Sequence, residues 1–512
     1  MYAQFLEGLA LFAQWQNLLY ILAGVFVGTL VGAIPGLSGA LTVAILIPFT
    51  FYLSPVAAIV FLVGIYKGAV FGASISAILI NVPGTASSTA TLLDGYPMTK
   101  RGEANRALSL AHTASVFGDT FSDIVMILVM APLAAIAVKF GPPEMFAVTL
   151  FALTVIATVS TGNMVKGLMS GAMGMLLAVI GPDVILGTPR FWFDTFQLQG
   201  GISFIPMLIG LFGISEVLDQ GVRKIGPKIA KTAAGSNYHI SYPSMAMFKK
   251  HFRTLLRSSI IGTIVGIVPG VGQSLAAFLA YSEAKHKSDT PEIFGTGCEE
   301  GIVAPEAANN AVNGASFVPL LTLGIPGDVI SSIIAGAFLL HGMVPGPTLF
   351  QHSGPTVYAI LIGMLVANGI MFLLGHYLIR LFAMVVLVPT RFLFPIILTL
   401  CVVGAFSINN NIFDIYVMVG AGLLGLFMKR TGFPLAPLII AFLVGPMVEN
   451  AMRQSLLLSG GDWTIFFTRP IALGFFALTL LVTVRLHRRI LKTRRIDSEG
   501  AAGKTAQASV DE

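Results

Sequence analysis

The stretch Gly28 to Gly39, GTLVGAIPGLSG, returns as Gly262 to Gln273, GTIVGIVPGVGQ, at a constant offset of 234 residues. Each copy is an apolar helix pattern interrupted by Pro-Gly, at Pro35-Gly36 and at Pro269-Gly270. Proline removes an N–H donor and glycine relaxes the backbone, so the helix breaks there. At membrane depth such a break is tolerated only where it is buried in protein or lines a cavity, because lipid supplies no hydrogen bonds. Paired breaks at corresponding positions of two halves point to the binding site of a secondary transporter.

The rest of the chain reads as a polytopic membrane protein. Of 512 residues 55% are hydrophobic and 11% charged, against roughly 25% charged in soluble domains. Apolar runs long enough to cross about 30 Å of hydrocarbon recur from Leu18 to Leu481, and predict roughly ten to twelve spans. The first run lacks a basic flank and a small-residue cleavage site and reads as a retained helix. Cys298 and Cys401 have neither metal-ligand spacing nor a disulfide framework, and read as buried apolar thiols. The net charge of +6 is concentrated between spans and in the tail, which argues against nucleic-acid binding. Arg223, Lys224, Lys228, Lys231, Lys249, Lys250, Arg253 and Arg257 crowd one connection, and Arg485, Arg488, Arg489, Lys492, Arg494 and Arg495 close the last span. Both groups are expected to face the cytoplasm.

The repeat continues past the first break. GAVFGAS at Gly68–Ser74 reappears as NAVNGAS at Asn310–Ser316, and a second break, Asn81-Val82-Pro83-Gly84, reappears as Gly324-Ile325-Pro326-Gly327. A fainter match relates Ser160–Asn163 to Ser407–Asn410. The fold expected is therefore an all-α integral membrane protein in two related repeats, each with Pro-Gly-broken helices or re-entrant hairpins. Residues 1–220 form the first repeat, 221–257 a basic cytoplasmic connection, 258–484 the second repeat, and 485–512 a tail that is basic and then disordered. Lys100, Arg101 and Arg106 follow the second break in the first half, whereas no Lys or Arg occurs from His341 to Thr356 in the second. By the positive-inside rule these loops face opposite sides, which makes the repeats inverted. Parallel repeats with uneven loop charge are the alternative.

Small polar residues gather around the breaks: Ser38, Thr85, Ser87, Ser88 and Thr89 in one half, Gln273, Ser274 and Asn313 in the other. They suit an anion with several carboxylates. A helix restarting after a break offers free N–H groups and roughly +0.5 charge, and hydroxyls and amides add donors without a fixed buried charge. Alternatively these residues only let helices pack closely. Asn81, Asn309, Asn310, Glu306 and Asp328 offer hard oxygen ligands for a coupling cation, with sodium ranked ahead of protons and Glu306 as the proton carrier otherwise. The breaks themselves are Pro35, Gly36, Pro83, Gly84, Pro269, Gly270, Pro326 and Gly327. Lys67, inside a long apolar segment, reads equally as a counter-charge for substrate or as a structural partner to a carboxylate. Asp119 and Asp123, one helical turn apart on one face, read either as functional candidates at membrane depth or as a water-facing helix face near the cytoplasmic loop. No phosphate-binding loop, zinc motif or nucleophile elbow occurs, since Ser498 stands where Gly503-Lys504-Thr505 would need its upstream glycine. No organic cofactor and no metal beyond sodium is expected. Paired discontinuous helices favour a transporter over an embedded enzyme or a passive channel.

These motifs resemble a known family. Gly32–Gly39 (GAIPGLSG), Asn81–Met98 (NVPGTASSTATLLDGYPM), Gly187–Phe193 (GTPRFWF), Ala304–Ala311 (APEAANNA) and Leu321–Gly327 (LTLGIPG) are similar, in order, to the large membrane subunit of the tripartite tricarboxylate transporters, the TctA family. The resemblance implies a multi-pass permease of the bacterial inner membrane. It would take a carboxylate such as citrate from a periplasmic binding protein, work with a small membrane subunit and be driven by an ion gradient; a homodimer is left open. The Asp119/Asp123 pair lies outside the matching stretches.

The loop charges generate a direct test. Cysteines placed at Lys100 and at Pro347 are expected to react with an impermeant thiol reagent from opposite faces of the membrane, whereas labelling of both from one face would leave only parallel repeats.

Overall fold

The computed structural model describes residues 2–159, 164–223, 238–240, 245–386 and 390–485. The first half consists of α1 (Tyr2–Phe12), α2 (Trp15–Gly32), α3 (Gly39–Thr50), α4 (Pro55–Ile80), α5 (Ser88–Lys100), α6 (Ala104–Ala137), α7 (Pro142–Val159), α8 (Met164–Ala178), α9 (Phe204–Leu208) and α10 (Ser215–Arg223). The second consists of α11 (Met245–Ile267), α12 (Gly272–Lys287), α13 (Glu300–Ala315), α14 (Phe317–Leu323), α15 (Val329–Leu340), α16 (Leu349–Val385), α17 (Thr390–Asn409), α18 (Ile412–Thr431), α19 (Leu435–Leu458), α20 (Ile465–Thr468) and α21 (Pro470–Arg485). The only sheet among the described residues is a two-stranded hairpin, Gly181–Pro182 with Pro189–Arg190. Arg190 donates to both carboxylate oxygens of Glu449 on α19, at 2.6 and 3.0 Å, and so ties this hairpin, which holds the GTPRFWF stretch, to the second half.

Helix α4 is the axis of the molecule. Ser54 caps its first turn through the Ala57 N–H, and Pro55 at the first helical position loses no hydrogen bond there. Apolar on every side, it is buried along almost its whole length, as such a helix must be. Helix α2 runs beside it in the same direction. A Cβ at Gly24, Gly28 or Gly32 would fall on the carbonyls of Phe61, Ile65 or Ala69, so only glycine permits this approach. The same device recurs where Gly262 and Gly266 of α11 meet Ala308 and Val312 of α13.

All four Pro-Gly positions turn the chain back. After α2 the chain breaks and returns as α3; after α4 it doubles back until Gly84 lies on Ala73 and on the Gly32 carbonyl. Helix α5 then runs outward again, and the Thr99 hydroxyl donates to the Ile78 carbonyl at 2.8 Å. In the second half Gly327 lies on Ser316 and the Gly266 carbonyl, while the Gly270 N–H donates to the Gly327 carbonyl at 2.7 Å. The left-handed residue that opens the second break is Asn81 (φ 60°) in one half and Gly324 (φ 74°) in the other.

The halves are interlocked. The longest helices, α6 and α16, each pack on the central helix of the other repeat, α6 on α13 and α16 on α4. Thr50, just before α4 begins, meets His341 at the end of α15 (3.4 Å), whereas Thr99 lies at the last turn of α4. The connections after α5 and after α15 therefore sit at opposite ends of a helix about 39 Å long.

Seven helices among the described residues are long and apolar enough to cross a membrane, and further apolar helices of 10–17 residues accompany them. The basic residues Lys249, Lys250, Arg253 and Arg257 lie on α11. Ser160–Asn163, Lys224–Lys231 and the tail beyond Arg485 lie outside the described residues. Cys298 and Cys401 are free and buried.

Candidate functional site

The centre of the molecule holds one buried ammonium. Lys67 projects from α4 and spends all three of its N–H donors, on Asp119 Oδ1 (2.7 Å), Asp123 Oδ2 (2.7 Å) and Asn368 Oδ1 (2.9 Å). Asn368, from α16, also donates to Asp123 at 2.7 Å. Lys67, Asp119 and Asp123 are fully buried. This corrects the water-facing reading of the aspartate pair: a lysine inside hydrocarbon demands counter-charge, and the face of α6 that carries both carboxylates turns inward to supply it. Of the two readings of Lys67, the structure shows the partner to carboxylates.

From this cluster a chain of polar groups leads to the breaks. Asn313 on α13 donates to Asp119 Oδ2 at 3.3 Å, Gln273 donates to Asn313 at 2.8 Å and to the Tyr66 hydroxyl at 3.2 Å, and Tyr66 donates to Asp328 Oδ2 at 2.5 Å. Asp328 caps α15, accepting from the Ser331 N–H at 2.7 Å while Ser331 Oγ accepts from the Asp328 N–H at 2.9 Å. Gln273 opens α12. The polar chain thus joins the starts of the two half-helices that follow the breaks of the second repeat.

Between those two starts lies a cavity of about 410 Å³, lined by Gly270, Gly272, Gln273, Ser274, Asp328 and apolar residues of α15 and α19. Helix α3 begins beside it, since Gly39 lies against Ile330, another residue of the cavity wall. Ser38 caps α3 by accepting the Leu41 N–H at 3.2 Å. The structure therefore brings Gln273, Ser274, Asn313 and Asp328 together, with Ser38 nearby.

Other candidates are placed apart. Thr85, Ser87 and Ser88 satisfy one another in the turn before α5, through Thr85 N–H to Ser88 Oγ (3.2 Å) and Thr85 Oγ1 to Ser87 Oγ (2.9 Å). Thr89 is half-buried on the first turn of α5, and Asn81 is exposed. Glu306, Asn309 and Asn310 are buried apart from the cavity on α13, and Glu306 meets α5 and α6. Glu306 accepts from Thr91 at 2.5 Å and from Ser115 at 3.0 Å.

Tyr66, Asn368, Thr91 and Ser115 were missed from sequence. A single tyrosine or amide in an apolar run has no local signature. Asp94 is likewise silent until folded; its carboxylate gathers the N–H groups of Gly295, Gly297 and Cys298 at 2.7–2.9 Å and fastens α5 to the α12–α13 connection.

The buried cluster makes a prediction. Lys67→Met strands two buried carboxylates and is expected to cost about 3–5 kcal/mol of stability, much of it recovered when Asp119→Asn and Asp123→Asn are added. Thermal unfolding in detergent measures this; a stable Lys67→Met protein defective only in ligand affinity would return Lys67 to the role of substrate counter-charge.

Comparison with known proteins gives the family. A chain from Agrobacterium vitis described as "Uncharacterized 52.8 kDa protein in TAR-I ttuC' 3'region" is 38% identical over 472 residues, 91% of this chain and 92% of that one. A second from the same organism, "Uncharacterized protein in TAR-II ttuC' 3'region", is 40% identical over 223 residues, 44% of this chain and 92% of its own length. No solved structure matches. The model of the tripartite tricarboxylate transporter TctA family matches residues 18–440, and with the paired broken helices at their expected places the chain belongs to that family, whose members are the large subunits of tripartite transporters.

Proposed function

We propose that this chain is the permease of an ion-gradient-driven importer in the bacterial inner membrane, carrying a tricarboxylate such as citrate or a related carboxylate. A periplasmic binding protein delivers the substrate and a small membrane subunit completes the transporter. One observation carries the reading: hairpins from opposite ends of α4 bring broken helices to the middle of the molecule, where half-helix starts face a cavity. The connections after α5 and α15 lie at opposite ends of α4, which supports repeats of inverted topology.

The carboxylate binds at the cavity, against the free N–H groups that open α12 and the side chains of Gln273 and Ser274. Its charge requires a cation. A citrate-like anion carries about three negative charges at neutral pH, and two half-helix starts supply only about one positive unit. Asp328 adds negative charge at the same wall, so the deficit grows. Sodium fits the surplus of hard oxygen donors better than a proton does. Because each charge stabilises the other's site, sodium tightens carboxylate binding and carboxylate tightens sodium by the same factor.

The test is uptake of labelled citrate into vesicles containing the chain, its small subunit and the binding protein, with a sodium gradient or with choline at fixed pH. Accumulation that needs both the gradient and the binding protein is expected. Uptake that ignores sodium but follows a proton gradient would reassign the coupling ion, and failure to move any di- or tricarboxylate would remove the function.

A further inference from the structure

Glu306 is a buried carboxylate with no cationic partner among the described residues, unlike Asp119 and Asp123. The ionisable side chains on the helices around it are engaged elsewhere. Lys67 is held by its two aspartates, Asp94 by the 295–298 backbone, His112 by the Met371 carbonyl, and His251 and Lys250 by Glu299. What touches Glu306 is neutral: Thr91, Ser115 and, at 3.4 Å, the Asn310 amide.

A second observation is independent of the first. Asn309, 1% exposed, has no hydrogen-bond partner on either side-chain atom, and Asn310 Oδ1 is likewise unpartnered. Buried polar groups in proteins are nearly always satisfied, and an exception marks a ligand or a stored strain. On a helix, positions 309 and 310 flank the direction of position 306 one turn earlier. One carboxylate, one amide and two hydroxyls are therefore in contact, and Asn309 sits on the adjoining face of the same helix with its amide unused.

The repeat supplies the third element. Aligning KGAVFGAS (Lys67–Ser74) with NNAVNGAS (Asn309–Ser316) places Asn309 where the first repeat has Lys67. One repeat carries a tethered cation at that position, and its counterpart carries unsatisfied oxygen ligands and a bare carboxylate.

We propose that Glu306, Asn309, Asn310, Thr91 and Ser115 form a binding site for one dehydrated sodium ion, the exchangeable counterpart of the Lys67 ammonium in the other repeat. The hydroxyls of Thr91 and Ser115 offer lone pairs to the ion while still donating to Glu306, so no proton needs to leave. The assignment rests on the reading of the chain as cation-coupled and gives the ion its place on α13, within about two helical turns of Asn313.

The experiment titrates the full chain in detergent with sodium chloride against choline chloride at constant ionic strength and pH, following the thermal unfolding midpoint. A saturable rise is expected for wild type, its loss in Glu306→Gln, and at least a roughly tenfold weaker sodium affinity in Asn309→Ala. Asn309→Ala removes an amide that bonds to nothing in the fold, so it should be fully stable without sodium and remains informative if Glu306→Gln does not fold. Wild type that ignores sodium, or Asn309→Ala that responds like wild type, overturns the site. Sodium-driven uptake surviving in that case would keep the transport reading and put the ion elsewhere.

Discussion

A polypeptide inside hydrocarbon must satisfy its own backbone, and this constraint shapes the molecule. Every Pro-Gly break frees carbonyl and N–H groups that lipid cannot accept. The solution is to bury the breaks against each other: the Gly270 N–H meets the Gly327 carbonyl, and Gly84 covers the Gly32 carbonyl in the other half. Such close contact needs glycine on the crossing surfaces, which is why Gly28 and Gly262 recur with the breaks. Only then can a helix start such as that of α12, which has no side-chain cap, remain free to face a ligand.

Electrostatics binds the repeats into one unit. Lys67 lies on the central helix of the first repeat, its carboxylates on α6 and its amide on α16 of the second. Through Asn313, Gln273 and Tyr66 the cluster reaches Asp328 at the cavity wall. A shift of α12 or α15 would have to exchange hydrogen bonds in this chain. A ligand in the cavity would thereby be linked to the packing of both halves.

Much of this was legible in the chain. The breaks, the repeat and the long apolar segment that holds Lys67 all follow from local chemistry, because Pro, Gly and uninterrupted apolar runs act where they stand. The partner of Lys67 was within reach, since a lysine in an apolar span requires a carboxylate and Asp119 and Asp123 share one helix face. It was missed because spacing shows that two residues share a face, not which way that face turns. Tyr66, Asn368 and Asp94 depend on contacts 187 to 301 residues apart in the chain, such as Asp94 with Tyr281, Tyr66 with Asp328 and Lys67 with Asn368, and leave no periodic trace. The Thr85–Ser88 cluster was conspicuous in sequence, yet its hydroxyls mainly satisfy one another.

The account stands on the cavity between the starts of α12 and α15 being where the carboxylate binds. Ser274 is half-buried in its wall, so a cysteine at that position reports occupancy directly. With Cys298 and Cys401 buried, the reaction of Ser274→Cys with a small charged thiol reagent is read against little background. The account predicts that citrate or the true carboxylate slows this labelling saturably, and more so with sodium than with choline. Labelling that stays unchanged at carboxylate concentrations that saturate uptake would contradict it.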